Sequence, residues 1–189
     1  MSFVNIGIQG AEGSFSEQAA EYFIKKNNIK KYNISYLISS QSVLEAVQNS
    51  EAKYGIFAME NAQGGVVIES VKALSFYRCN IVEMFHIPIS QNLLALNNID
   101  LKDIKEVHSH EQALKQCKNY LAKNFWTIPL VEADDTAEAA KRLSQGELDP
   151  SAAVIGSRYC SDLYGLSILE KDVHDLKENL TLFLSVEKI

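Results

Sequence analysis

At 189 residues, 47% of them hydrophobic, the chain can bury a substantial core and is too apolar for a disordered tail or linker. A net charge of −6 spread over interspersed charged residues excludes a nucleic-acid surface, which needs a clustered basic face, and points to a small-molecule partner. Cys79, Cys117 and Cys160 are far apart and form no C-x-x-C pair, which excludes a disulfide framework. With no signal-peptide pattern in "MSFVNIGIQG" and no apolar run near the roughly 18 residues of a membrane span, a soluble cytoplasmic protein without a membrane partner is expected.

In chain order, residues 4–8 read as a strand and "SEQAAEYFIKK" as a helix. A strand over residues 34–38 and helical "SVLEAVQNS" follow, then strands over 54–58, 81–89 and 92–96. Next come a strand over 106–108, helical "EQALKQCKNYLAK", a strand over 128–131, helical "TAEAAKRLSQ", and strands over 152–155 and 180–186. Alternation of short β-rich runs with helical periods means α/β. Pro88 interrupts the long strand region, so the chain is expected to cross there into a second lobe. The last strand needs a partner, so the expected first lobe is 1–88 plus 173–189 and the second 89–172.

The junctions carry the candidate chemistry. Four of them read as capping boxes, in which a Ser or Asp accepts from the first helical turn and a Glu or Gln three residues on reaches back: Ser14 with Glu17, Ser42 with Glu45, Ser109 with Gln112, and Asp135 with Glu138. If such turns share one sheet edge, their helix N-termini make an anion site without basic residues. In "GAEGSFSEQAA", Gly10 and Gly13 bracket a turn after the first strand, where they permit positive φ and close ligand approach. The segment is neither a Walker loop nor a G-x-G-x-x-G dinucleotide turn. In "MENAQGGVVIES", Asn61 both donates and accepts, which suits a substrate hydroxyl or carboxylate, or else the Asn-x-x-Gly-Gly stretch is simply a turn. His108 and His110 would share a strand face, but no carboxylate or third histidine stands at metal-ligand spacing, so no metal is expected.

Taken together, these stretches resemble the prephenate dehydratase family. "GAEGSFSEQAA" is similar to its G-P-x-G-[ST]-[FY]-[ST] opening, "YGIFAMENAQGGVV" to P-x-E-N-S-x-x-G-x-V, "ISQNLLAL" to I-x-H-x-L-L, and "VHSHEQALKQC" to V-x-S-H-P-Q-A-L-x-Q-C. "DDTAEAA" is similar to S-T-A-x-A-A, "AAVIGSRYCSDLYGL" to A-A-I-A-S…Y-G-L, and "ENLTLF" to N-x-T-R-F. The resemblance implies a two-lobed α/β fold like the type II periplasmic binding proteins, with mixed sheets, helices on both sheet faces and substrate in the cleft between lobes. It implies conversion of prephenate to phenylpyruvate in phenylalanine biosynthesis by a homodimer or homotetramer, with no metal, flavin or nicotinamide cofactor. Thr181 matches the family's functional threonine and takes the catalytic role, by hydrogen-bonding the departing ring hydroxyl in a preorganised site. The substrate-binding positions carried over are Gly13, Ser14, Glu60, Asn61, Ala62, Gly65, Asp135, Thr136, Ser157, Leu182 and Phe183. The family's C-terminal ACT domain, which senses phenylalanine, has no counterpart in the matched stretches, and nothing in these residues supports feedback inhibition within this polypeptide.

Five positions depart from the pattern. Ala62, Asp135 and Leu182 stand where the family has Ser, Ser and Arg, Gln91 replaces a histidine, and Glu111 a proline. The first three remove donors or add negative charge where a dianion must bind, and one lost charge-assisted bond costs about 1.5–3 kcal/mol. Asp135, as an N-cap, would also occupy the helix end that a substrate carboxylate would use. Arg158, beside Ser157, could supply the missing cation. Thr181-Leu182-Phe183 is also similar to the non-aromatising prephenate decarboxylases of the same fold, and a third expectation is a non-catalytic small-carboxylate-binding protein.

Overall fold

The computed structural model describes residues 3–189. Its elements, in order, are β1 (Val4–Ile8), α1 (Phe15–Lys26), β2 (Tyr32–Tyr36), α2 (Ser40–Gln48), β3 (Tyr54–Asn61), β4 (Gly65–Val66), α3 (Ile68–Phe76) and β5 (Asn80–Pro88). Then come β6 (Asn92–Ala95), β7 (Glu106–Ser109), α4 (Glu111–Gln116), α5 (Lys118–Asn124), β8 (Leu130–Glu132), α6 (Thr136–Ser144), β9 (Ala152–Gly156), α7 (Arg158–Tyr164), β10 (Ser167–Glu170) and β11 (Leu180–Glu187). The fold is α/β with two mixed sheets.

The chain divides into two units. One comprises residues 3–11, Phe15–Pro88 and Leu180–Ile189, and the other Glu12–Ser14 and Ile89–Asn179. The chain leaves the first unit at Pro88 and returns at Leu180, later than the expected return at 173. Backbone bonds from Val173 N to Gln91 O and from Asp175 N to Gln116 O, each 2.8 Å, hold residues 173–179 in the second unit. The Asp175 carboxylate also caps α5 by accepting from Asn119 N and Tyr120 N.

In the first unit the strand order is β2-β1-β3-β11-β5, with β4 added to β3. β1, β2 and β3 run parallel, whereas β11 is antiparallel to both of its neighbours. Alternation along β11 explains why helices cover both faces. Phe183 stacks on Phe85, which meets Phe23 of α1. Leu184 and Val186 instead pack with Val43 and Val47 of α2 and Phe57 of β3. At Gly55 a Cβ would lie 2.7 Å from Val43 Cγ1, so the residue's lack of a side chain lets α2 approach the sheet this closely.

The second unit's sheet has the order β10-β6-β9-β7-β8, with β6 antiparallel to both neighbours and β9, β7 and β8 parallel. Leu93, Val107, Ala153 and Ile155 pack with Cys117, Leu121 and Phe125 from the α4–α5 side.

Two expected caps are corrected. Ser39, not Ser42, caps α2 by accepting from Ser42 N. His110, not Ser109, caps α4 by accepting from Gln112 N at Nδ1, which takes His110 out of the strand it was expected to share with His108. Among the described residues, no group of three or more His, Cys, Asp or Glu is placed to hold a metal ion.

Candidate active site

Thr181 lies on the strand between β3 and β5, paired with Asn61 on one side and Ile87 on the other. Thr181 is 6% exposed and Asn61 4%. Asn61 ends β3 and opens the hairpin into β4, where its Oδ1 accepts from Gln63 N at 3.0 Å and Gly64 N at 2.7 Å. This Asx turn, with Gly65 at φ 77° closing the hairpin opposite Asn61, decides which end of the amide faces where. The amide nitrogen therefore points to β11, donating to Thr181 Oγ1 at 2.9 Å and to Leu180 O at 3.3 Å. Ala62 contributes its backbone N–H to Leu180 O. Because Thr181 Oγ1 is already an acceptor, its own hydrogen is left to donate, and it meets no acceptor among the described residues. The turn thus presents one buried, oriented hydroxyl donor.

Register separates other expected residues from this hydroxyl. Leu182 pairs with Glu60 on β3 and His86 on β5, and Glu60 pairs with Val66, so these four share one sheet face. Thr181, Asn61 and Phe183 occupy the opposite face. Glu60 and Leu182 are not brought together with Thr181, and Phe183 is buried in the aromatic stack beside it.

In the second unit, the loop Glu12–Ser14 is fastened to α7. Ser157 Oγ donates to Gly13 O at 2.9 Å and accepts from Cys160 N at 3.0 Å, so the hydroxyl joins loop to helix start. Tyr164 OH donates to Glu12 O at 2.7 Å. Gly13 sits at φ 91°, and a Cβ there would lie 3.2 Å from Cys160 Sγ, so both backbone and space require glycine. Ser14 is buried directly before α1, and Arg158 is exposed at the start of α7.

Helix N-termini in both units are closed from within. Asp135 caps α6, accepting at Oδ1 from Ala137 N at 2.7 Å and Glu138 N at 3.0 Å. In the first unit the Glu69 carboxylate accepts from Ser40 N and Ser40 Oγ at the start of α2. Internal carboxylates thus neutralise two of the helix ends expected to receive an anion. Ser109 Oγ lies 3.3 Å from Thr136 Oγ1 and donates to Ile155 O at 2.9 Å, which places Thr136 next to a fully buried hydroxyl.

A buried amide cluster was not singled out from the sequence. Gln116 Oε1 accepts from Gln91 Nε2 at 3.1 Å and from Asn179 Nδ2 at 2.8 Å. The available signal was three amides inside otherwise apolar motif stretches, but residues 91, 116 and 179 are too far apart in the chain for spacing to join them.

The chain matches the sequence model of the family described as prephenate dehydratase over residues 6–189. A prephenate dehydratase from Methanocaldococcus jannaschii is 33% identical over 178 residues, covering 94% of this chain and 62% of that protein. The chain spans 45–62% of the length of the curated relatives it matches. A prephenate dehydratase structure from Arthrobacter aurescens, in complex with L-Phe, superposes with a TM-score of 0.84 at 24% identity, covering 98% of this chain and 60% of that one. A periplasmic substrate-binding protein of an ABC transporter from Coxiella burnetii superposes with a TM-score of 0.53 at 13% identity, covering 96% and 84%. These two likenesses show the fold, which is shared with periplasmic binding proteins, and the match across nearly the whole sequence shows that the chain belongs to the prephenate dehydratase family.

Proposed function

We propose that this chain is a lyase that converts prephenate to phenylpyruvate. The observation that carries the reading is the Asn61-oriented hydroxyl of Thr181, a neutral donor whose hydrogen meets no acceptor among the described residues. In the reaction the bond from ring to carboxylate breaks and carbon dioxide leaves. Its electron pair enters the ring, the ring carbon–hydroxyl bond breaks, and the oxygen departs as water after taking one proton from solvent. A threonine hydroxyl is too weak an acid to supply that proton outright. Its role is to hydrogen-bond the oxygen as negative charge develops, with aromatisation driving the step. Gly13, Ser14, Glu60, Ala62, Gly65, Asp135, Thr136, Ser157, Leu182 and Phe183 remain substrate-binding proposals. Within that set, Ser157 acts by holding Gly13, and Phe183 by supporting the strand that carries Thr181.

Incubation with prephenate and resolution of the products tests the reading. Phenylpyruvate supports it, a non-aromatic dihydro product identifies a decarboxylase, and unchanged prephenate with measurable binding identifies a binding protein.

The chain is further proposed to act as a cytoplasmic homo-oligomer in phenylalanine biosynthesis. Free thiols at Cys79, Cys117 and Cys160 suit a reducing compartment. α3 buries Ser70 and Ala73 while leaving Ile68, Val71 and Phe76 exposed, which supports burial against a second copy. Light scattering of the purified protein reads the oligomeric state.

A further inference from the structure

Gln91, Gln116 and Asn179 are all nine-tenths buried or more, and each is held by its backbone within the second unit. Gln91 O accepts from Val173 N and Gln116 O from Asp175 N, while Asn179 O accepts from Ile89 N. Gln91 N donates to His174 Nδ1 at 3.3 Å. On this frame two side-chain amides converge on one oxygen: Gln91 Nε2 and Asn179 Nδ2 both donate to Gln116 Oε1. Two donors on one oxygen settle which end of the Gln116 amide faces them, and the opposite end carries two N–H groups that meet no acceptor among the described residues.

The arrangement carries a visible penalty. Gln91 Oε1 is buried and meets no donor among the described residues. Turning the Gln91 amide over would set its oxygen against Gln116 Oε1, acceptor against acceptor. The orphaned oxygen is therefore what it costs to keep a donor aimed at Gln116, and an unsatisfied buried acceptor calls for such an explanation.

We infer that Gln91 is a positioning residue that holds the Gln116 side-chain amide with its N–H groups presented to an acceptor oxygen of the substrate. This inference rests on the prephenate reading above, whose substrate carries two carboxylates. Gln91 does not touch the substrate in this scheme.

The test is Gln91→Glu compared with Gln91→Leu, assayed with prephenate from pH 6 to 9.5. When protonated, the introduced carboxyl donates to Gln116 Oε1 as the native amide does. When ionised it only accepts, so the Gln116 amide turns round and presents its oxygen instead. The expected result for Gln91→Glu is a KM close to the unmodified protein's at the low end, rising about tenfold as pH increases, with kcat changing far less. Gln91→Leu gives a smaller rise that is flat with pH. The unmodified protein assayed over the same range controls for every other group that titrates. A Gln91→Glu KM that does not move with pH, or that matches Gln91→Leu throughout, overturns the inference.

A second readout needs no substrate. In a nitrogen–proton correlation spectrum, the Gln116 side-chain amide protons of Gln91→Glu should shift downfield at high pH as they gain a carboxylate acceptor. No shift overturns the Gln91–Gln116 lock. A shift in a protein that neither binds nor converts prephenate overturns the substrate reading and leaves the lock standing.

Discussion

Asn61 in the first unit and Gln116 in the second are both buried amides whose oxygen takes two hydrogen bonds, yet they are held by different means. The Asn61 oxygen is pinned by main-chain N–H groups of its own turn, and its nitrogen spends itself on Thr181, so the amide works through another residue. The Gln116 oxygen is pinned by side chains from distant parts of the chain, and its nitrogen is left uncommitted. A main-chain clamp survives substitution of its neighbours, whereas a side-chain clamp is only as durable as each partner. The first arrangement suits a group whose orientation must not change, and the second leaves presentation of a donor open to tuning by a single replacement.

The largest expected effect tests the relay in the first unit. Thr181→Val keeps the shape and removes the donor, and should lower kcat for phenylpyruvate formation about 10²–10³-fold, roughly 3–4 kcal/mol, while Thr181→Ser retains most activity. A Val variant with full kcat would remove Thr181 from the chemistry.

Asn61→Asp divides the two duties of that amide. A carboxylate still accepts from Gln63 N and Gly64 N, so the thermal midpoint should stay near the unmodified value. It cannot donate to Thr181 and draws the hydroxyl hydrogen inward, so kcat should fall by one to two orders of magnitude, on the order of 1.4–2.8 kcal/mol. Asn61→Ala loses both duties and should also unfold more easily by about 1–3 kcal/mol. If the Asp variant is destabilised as much as the Ala variant, the main-chain clamp is not what holds the residue.

In the second unit, Asp135→Ala should cost about 0.5–2 kcal/mol in denaturant unfolding through loss of the α6 cap. Asp135→Ser keeps the cap, removes the charge, and should lower KM for a dianionic substrate up to about fivefold. An unchanged KM would place Asp135 outside the substrate's field.

Leu182→Arg has the smallest expected effect. It sets a cation beside Glu60 on the face opposite Thr181, which should add up to about 1 kcal/mol of cross-strand stabilisation and leave kcat within about twofold. A larger change in kcat would contradict the separation of faces.

Much of the fold was legible because burial imposes periodicity. β1 has the expected bounds, β3, β5, β7 and β9 contain or closely track the expected strands, and the Asp135 cap was readable from its local motif. β4 is a two-residue strand and too short to show alternation, and β10 was not recognised. β2 ends at Tyr36 rather than 38, and Ile38 has φ 62°, outside the extended region a strand requires. α3 was missed because Ile68, Val71 and Phe76 are exposed while Ser70, Ala73 and Leu74 face the core, so its apolar residues do not form a single stripe.

The candidate site divides in the same way. Thr181, Asn61, Gly13 and Ser157 were legible as members of local motifs, since a turn or a cap is made by residues close together in the chain. That Asn61 spends its nitrogen on Thr181, 120 positions away, was decided only by the pairing of β11 with β3. That Leu182 lies on the face opposite Thr181 and Phe183 was already legible from alternation along the strand, and the pairing added that Glu60 is its neighbour there. The same holds for Gln91, Gln116 and Asn179, each an ordinary polar residue in its own segment. Sequence by itself determined which groups were available and where short-range turns would hold them. Only tertiary structure decided which groups meet, because a buried hydrogen bond is directional and short-ranged, and its partner is chosen by register and packing rather than by distance along the chain.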